Sequence, residues 1–187
     1  MREPTFRKGD ALLIVDVQND FCPGGSLPID EGDTVVPILN ELIAAAENAG
    51  APVFASRDWH PSNHPSFTPE GGAWPPHCLQ DTEGAKFHPD LLLPANVMLV
   101  TKGTRFDKDQ HSAFDETGLT GVLKRREIRR IWIGGLALDV CVRATALDAR
   151  KAGFQVHLIK AATRPVTPEG GADALTELTR AGVSIAE

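Results

Sequence analysis

Cys141 closes the run Gly134-Gly135-Leu136-Ala137-Leu138-Asp139-Val140-Cys141, where an apolar stretch with strand character passes into a helical pattern. A thiol just inside a helix N-terminus meets unpaired backbone N–H groups and the positive end of the dipole, which favour its thiolate and can hold an oxyanion. A lone cysteine of this kind is more often a small buried hydrophobe, so its meaning depends on the other residues the fold brings to it. Asp16 interrupts the apolar run Ile14-Val15-Asp16-Val17-Gln18-Asn19-Asp20-Phe21. A buried carboxylate needs a cation, hydrogen bonds or a proton, and desolvation raises its pKa toward the range of a general base. Lys102 ends the run Val97-Met98-Leu99-Val100-Thr101. Set beside Asp16 and Cys141, it would hold the carboxylate ionised and stabilise developing negative charge.

A second group is Asp58-Trp59-His60, followed by His64, Glu70 and Trp74-Pro75-Pro76-His77-Cys78. Asp and His two residues apart project to one side of an extended chain, and a later His completes a three-ligand site with open positions. One carboxylate and two imidazoles suit iron, zinc or manganese. The three cysteines are widely spaced and odd in number, which is a poor disulfide framework, and no CxxC pair supports a thiolate metal site at Cys78.

Positioning these residues takes alternating strands and helices. Short apolar runs rich in β-branched residues predict strands at 11–17, 52–56, 97–101, 131–133, 155–159 and 183–185, while 3.6-residue periodicity predicts helices at 34–49, 139–152 and 168–180. Asp139 is the expected N-cap of the second helix, with Cys141 at its second position. The alternation implies a three-layer α/β/α fold around a doubly wound, mainly parallel sheet. Asp16, Asp58, Lys102 and Cys141 each fall at or just after a strand's carboxyl end, where ligands bind in such sheets. Residues 57–96, with seven prolines and little periodicity, form a loop long enough to be functional.

The 187 residues, carrying a formal charge of −6, fit a single domain over 1–187 and argue against a nucleic-acid partner. With no long apolar segment, no membrane span is expected and a cytoplasmic protein is the default.

Taken together, the motifs resemble the isochorismatase-like cysteine hydrolases, and within them the nicotinamidases or pyrazinamidases. The resemblance rests on Val15 to Phe21 with Gly24-Gly25-Ser26-Leu27, Asp58-Trp59-His60-Pro61, Trp74 to Cys78, Lys102-Gly103 and Gly135 to Val142, in that order. It implies a catalytic triad on Asp16, Lys102 and Cys141 and an oxyanion hole from the amides of Ala137 and Cys141 beside a cis Leu136-Ala137 peptide. It also implies a divalent metal, zinc or iron or else manganese, on Asp58, His60 and His77, completed by water, Glu70 or His64. Phe21 and Trp74 would sandwich a pyridine ring. The implied reaction takes nicotinamide, and pyrazinamide with it, to the acid and ammonia through a cysteine thioester. Homo-oligomers are common among such proteins. Val140 stands where many relatives carry Tyr or His, and the chain has no tyrosine, so the pocket has its own shape. Another small amide, or an isochorismate-like ether, is the rival substrate; a silent binding protein would leave a buried acid and lysine without purpose.

Overall fold

The structure, a computed structural model, describes residues 5–187. Six parallel strands form its sheet: β1 (Asp10–Val15), β2 (Val53–Asp58), β3 (Met98–Lys102), β4 (Arg130–Leu136), β5 (Gln155–Arg164) and β6 (Ser184–Ala186), in the order β3-β2-β1-β4-β5-β6. The chain winds outward from β1 in one direction and from β4 in the other. The carboxyl ends of β1 and β4 therefore flank the point where the winding reverses, the place such sheets keep for a ligand.

Every residue of β1 is buried, which is why it reads as an unbroken apolar run and not as an alternating one. Its two faces still divide with period two: Leu12 and Ile14 join one core, Ala11, Leu13 and Val15 the other. The first core is closed by α1 (Val35–Asn48), through Val36, Leu39 and Ile43. The second is closed by α2 (Leu119–Arg125), α3 (Arg143–Lys151) and α4 (Pro168–Arg180), through Leu123, Ala146 and Leu178. This is the three-layer α/β/α arrangement expected from the alternation.

One helix was not expected and two local expectations are corrected. Seven residues of α2 were too few, with too few apolar positions, to show a helical period. β5 continues to Arg164 beyond an irregularity in its pairing with β4 between Ile133 and Gly135. Asp139 is not an N-cap: Leu138–Val142 form one wide turn of π type ahead of α3, entered from Ala137 in an extended conformation. The Asp139 carboxylate instead accepts from the amides of Val166, at 2.8 Å, and Thr167, at 3.3 Å, tying this turn to the approach to α4.

Candidate active site

The carboxyl ends of four neighbouring strands deliver the chemistry. Asp16 follows β1 at a positive φ of 48°, a conformation rare for a residue with a side chain, and it is completely buried. Asp58 and Lys102 are the last residues of β2 and β3 and are in register with one another. Cys141 lies in the wide turn after β4, below the cis Leu136-Ala137 peptide.

Their side chains converge on the ammonium of Lys102. Its Nζ lies 2.7 Å from Asp16 Oδ2, donates to Asp58 Oδ1 at 2.6 Å and donates to Cys141 Sγ at 3.4 Å. Ser56 Oγ donates to Asp16 Oδ1 at 2.7 Å. The contact with Oδ2 is an ion pair, and this buried oxygen, with two lone pairs, keeps acceptor capacity.

Burial sets the proton affinities. It pushes the Asp16 carboxyl up, and Asp58 adds to the effect, by more than Lys102 and Ser56 bring it down. Burial pulls on Asp58 in the same way, but Lys102, His60 and His77 outweigh it and hold Asp58 at about 2. Desolvation would lower Lys102; the two carboxylates overcome it and keep the ammonium charged well above its ordinary range. The Cys141 thiol is pushed well up by burial, with Lys102 opposing and the two carboxylates adding. Burial thus opposes the thiolate that the backbone amides favour, and forming it calls for a proton acceptor nearby.

Beside this cluster, Asp58, His60 and His77 each offer one ligand atom, all within 4.8 Å of one another. Nδ1 of His60 faces the carbonyl of His77 at 3.0 Å, and Nδ1 of His77 faces that of Pro75 at 2.7 Å. Each ring must donate from Nδ1, which leaves Nε2 as a lone pair turned to the site. Burial, only partly offset by Asp58, lowers His60 to about 4, so its imidazole is neutral near pH 7. Gly103 keeps the space in front of these atoms clear. A Cβ there would stand 2.6 Å from His60 Nε2 and 3.2 Å from Asp58 Oδ1. A hard-to-fill cradle facing two imidazoles and a carboxylate fits a divalent transition metal.

His64 and Glu70, the alternatives for a further ligand, part company. Glu70 is exposed on the short turn Thr68–Glu70. His64 is fully buried; Ser66 Oγ lies 2.7 Å from its Nδ1, and its Nε2 has no hydrogen-bond partner among the described residues. It groups with His60 and Asp109 as a second set of convergent ligand atoms. Cys78 is buried, and its thiol is pushed well up by that burial.

Phe21 and Trp74 line the pocket that opens onto Cys141, with Leu27, Ile29, Asp58, His60, His77, Asp109, His111, Ala137, Val140 and Val166. Sequence reasoning missed Asp109 and His111, whose loop has no periodicity to mark them. It also missed two buried residues that hold the site's frame. Gln18 donates to the carbonyls of Asp58 and Ala85, at 2.8 and 2.9 Å, and accepts from the Asp58 amide at 2.8 Å. Asp20 accepts from the amide of Cys78 at 2.7 Å and of Ser26 at 3.0 Å, anchoring the segment that carries His77. The signal was there: both are polar residues close behind the apolar run that Asp16 interrupts.

Residues 10–187 match the model of the isochorismatase domain. The chain belongs to the isochorismatase family. Within it, the chain is 39% identical over 198 residues to a nicotinamidase of Escherichia coli strain K12, covering 94% of this chain and 93% of that one. Among solved structures it is similar to the pyrazinamidase of Pyrococcus horikoshii in complex with zinc, with TM-score 0.93 and 44% identity over 96% of this chain and 99% of that one. It is also similar to PnC1 of L. infantum in complex with nicotinate, with TM-score 0.90 and 38% identity over 96% and 93% of the two chains. Val140 gives the pocket an aliphatic wall next to the thiol.

Proposed function

We propose that this protein is a nicotinamidase, hydrolysing nicotinamide to nicotinate and ammonia and accepting pyrazinamide in the same pocket. The observation that carries the reading is the meeting of Asp16, Lys102 and Cys141 under a pocket lined by two aromatic rings and a metal-ready set of Asp58, His60 and His77. The nicotinamidase relative and the neighbours solved with zinc and with nicotinate support it.

Asp16 acts as the base. Its oxygen Oδ2 takes the Cys141 proton as sulfur attacks the carboxamide carbon, and the oxyanion is held by the amides of Ala137 and Cys141. Lys102 keeps Asp16 from gaining a proton too early and balances the charge that appears. Asp16 then gives the proton to the departing nitrogen, so that ammonia leaves and not an amide anion. A thioester remains on Cys141. Water, deprotonated by Asp16, attacks it, and nicotinate departs. Asp58, His60 and His77 would hold the divalent metal, with His64 as the further ligand, and when bound it would supply a Lewis acid that orients the substrate. Zinc is the natural candidate given the neighbouring pyrazinamidase. Phe21 and Trp74 take the faces of the ring.

The pocket also separates this reading from its rival. Among its lining residues there is no Lys or Arg, while Asp58 and Asp109 contribute carboxylates. A neutral amide suits that wall better than an isochorismate-like dianion. Three buried free cysteines and the absence of any helix long and apolar enough to cross a membrane, among the described residues, support our placing the enzyme in the cytoplasm. Ammonia release from nicotinamide by the metal-replete protein, compared with its Cys141→Ala variant, tests the proposal. Release by the first and none by the second is expected, and no release by folded protein would remove nicotinamide as substrate.

A further inference from the structure

At the amino end of the sheet, opposite the pocket, the chain gathers positive charge. Arg7 and Lys8 lie just before β1, and Lys124, Arg125, Arg126 and Arg129 run from the end of α2 to the start of β4. The two segments are fastened together, since the amides of Arg129 and Arg130 both donate to the carbonyl of Gly9, at 2.8 and 3.2 Å. Between them is a cleft lined by Lys8, Gly9, Arg126, Glu127 and Arg129. All six cations are exposed, and among the described residues none of their side chains forms an ion pair, although other surface cations, such as Lys108, Arg143 and Lys160, do.

Local structure accounts for part of this. Lys124 and Arg125 occupy the last turn of α2, where a cation meets the negative end of the helix dipole. Arg130, the remaining cation of the segment, is matched by the buried carboxylate of Asp10. Lys8, Arg126 and Arg129 have no such partner, and Glu127 is the one carboxylate beside them in the cleft. In a chain of formal charge −6, which repels anions at long range, three converging unpaired cations around a concavity make a local exception.

We propose that this cleft is a binding site for a small polyanion carrying two or more phosphate groups. Guanidinium forks from Arg126 and Arg129 would take phosphate oxygens in paired hydrogen bonds, with Lys8 as a point charge at the rim. The strand β1 sets it on the order of 20 Å from Asp16 at about 3.3 Å per residue, so occupancy would not touch the reacting atoms.

The test uses the full-length, metal-replete enzyme at low ionic strength, with tripolyphosphate as probe in titration calorimetry. Saturable binding is expected, weakened by added salt and reduced about tenfold or more in Arg126→Glu/Arg129→Glu, since two attractive guanidinium contacts become repulsive carboxylates. Nicotinamide turnover by that variant should match the parent, which shows that it is folded. ATP run in parallel separates a nucleotide from a free polyphosphate as the source of the phosphates. No binding, binding untouched by the double substitution, equal binding of sulfate at matched ionic strength, or tighter binding of oligoglutamate would each overturn the proposal.

Discussion

In the mechanism we propose, Asp16 and Cys141 divide the work of one proton between them, and their surroundings make this division testable. Because burial keeps Cys141 a thiol, the reaction depends on an acceptor within reach, and Asp16 Oδ2 is the buried oxygen with capacity to spare. Asp16→Asn keeps the volume but cannot take a proton, so kcat should fall by several orders of magnitude in steady-state assays; a mild defect would point to another base. The pH profile follows with a definite sign. If Asp16 is the base, its ionised form is the active one; its pKa is raised, so kcat/KM should decline on the acid side at a pH above the ordinary carboxylate value of 3.8. Lys102 is a different matter, because its side chain sits between two carboxylates at 0% exposure. Lys102→Ala leaves both acids buried without their cation, and urea unfolding should show a loss of about 3–5 kcal/mol along with the loss of activity. These three residues were legible in the sequence because a charge or thiol at the end of an apolar run is conspicuous. The rise that burial gives the thiol's pKa was not legible, since it depends on how deeply three separate strand ends bury it.

Turns and loops, more than strands, decide whether the metal-ready group is usable. The strands bring Asp58 and Lys102 into register, and their apolar runs announced them. The segment 57–96 did not announce its shape, because its order comes from long-range side-chain bonds, such as Gln18 to Asp58 and Asp20 to Cys78, and not from any period. Gln18→Ala would strand the buried Asp58 amide and carbonyl, at a cost of about 1–3 kcal/mol. With a melting shift of about 2–4 °C per kcal/mol for a chain of this size, the effect is readable by calorimetry. Gly103 makes a sharper test. It adopts φ +69°, and its missing Cβ is what leaves His60 Nε2 accessible. Gly103→Ala should weaken zinc binding in a competitive chelator titration more than it lowers the melting temperature. A variant that melts early but binds zinc normally would show the glycine to serve only the turn.

At the scale of the whole molecule, the sheet order β3-β2-β1-β4-β5-β6 places all the chemistry at one end, and the alternation of strands and helices foretold that end but not the outlines of the pocket. Asp109 and His111 come to its wall from a loop that nothing local marks, and α2 was too short to be seen. In the proposed mechanism the same placement separates binding from bond breaking across the fold: the metal-ready group hangs from β2 and its following loop, Cys141 from the turn after β4. If the group on the β2 side serves chiefly to seat the ring, His60→Ala should raise KM for nicotinamide more than it lowers kcat, because an interaction made equally in ground and transition states affects binding alone. Chelation of the parent enzyme should give the same pattern, reversed by adding zinc. An equal fall in kcat and kcat/KM would instead put the metal's contribution in the transition state, joining the two halves of the site in one chemical step.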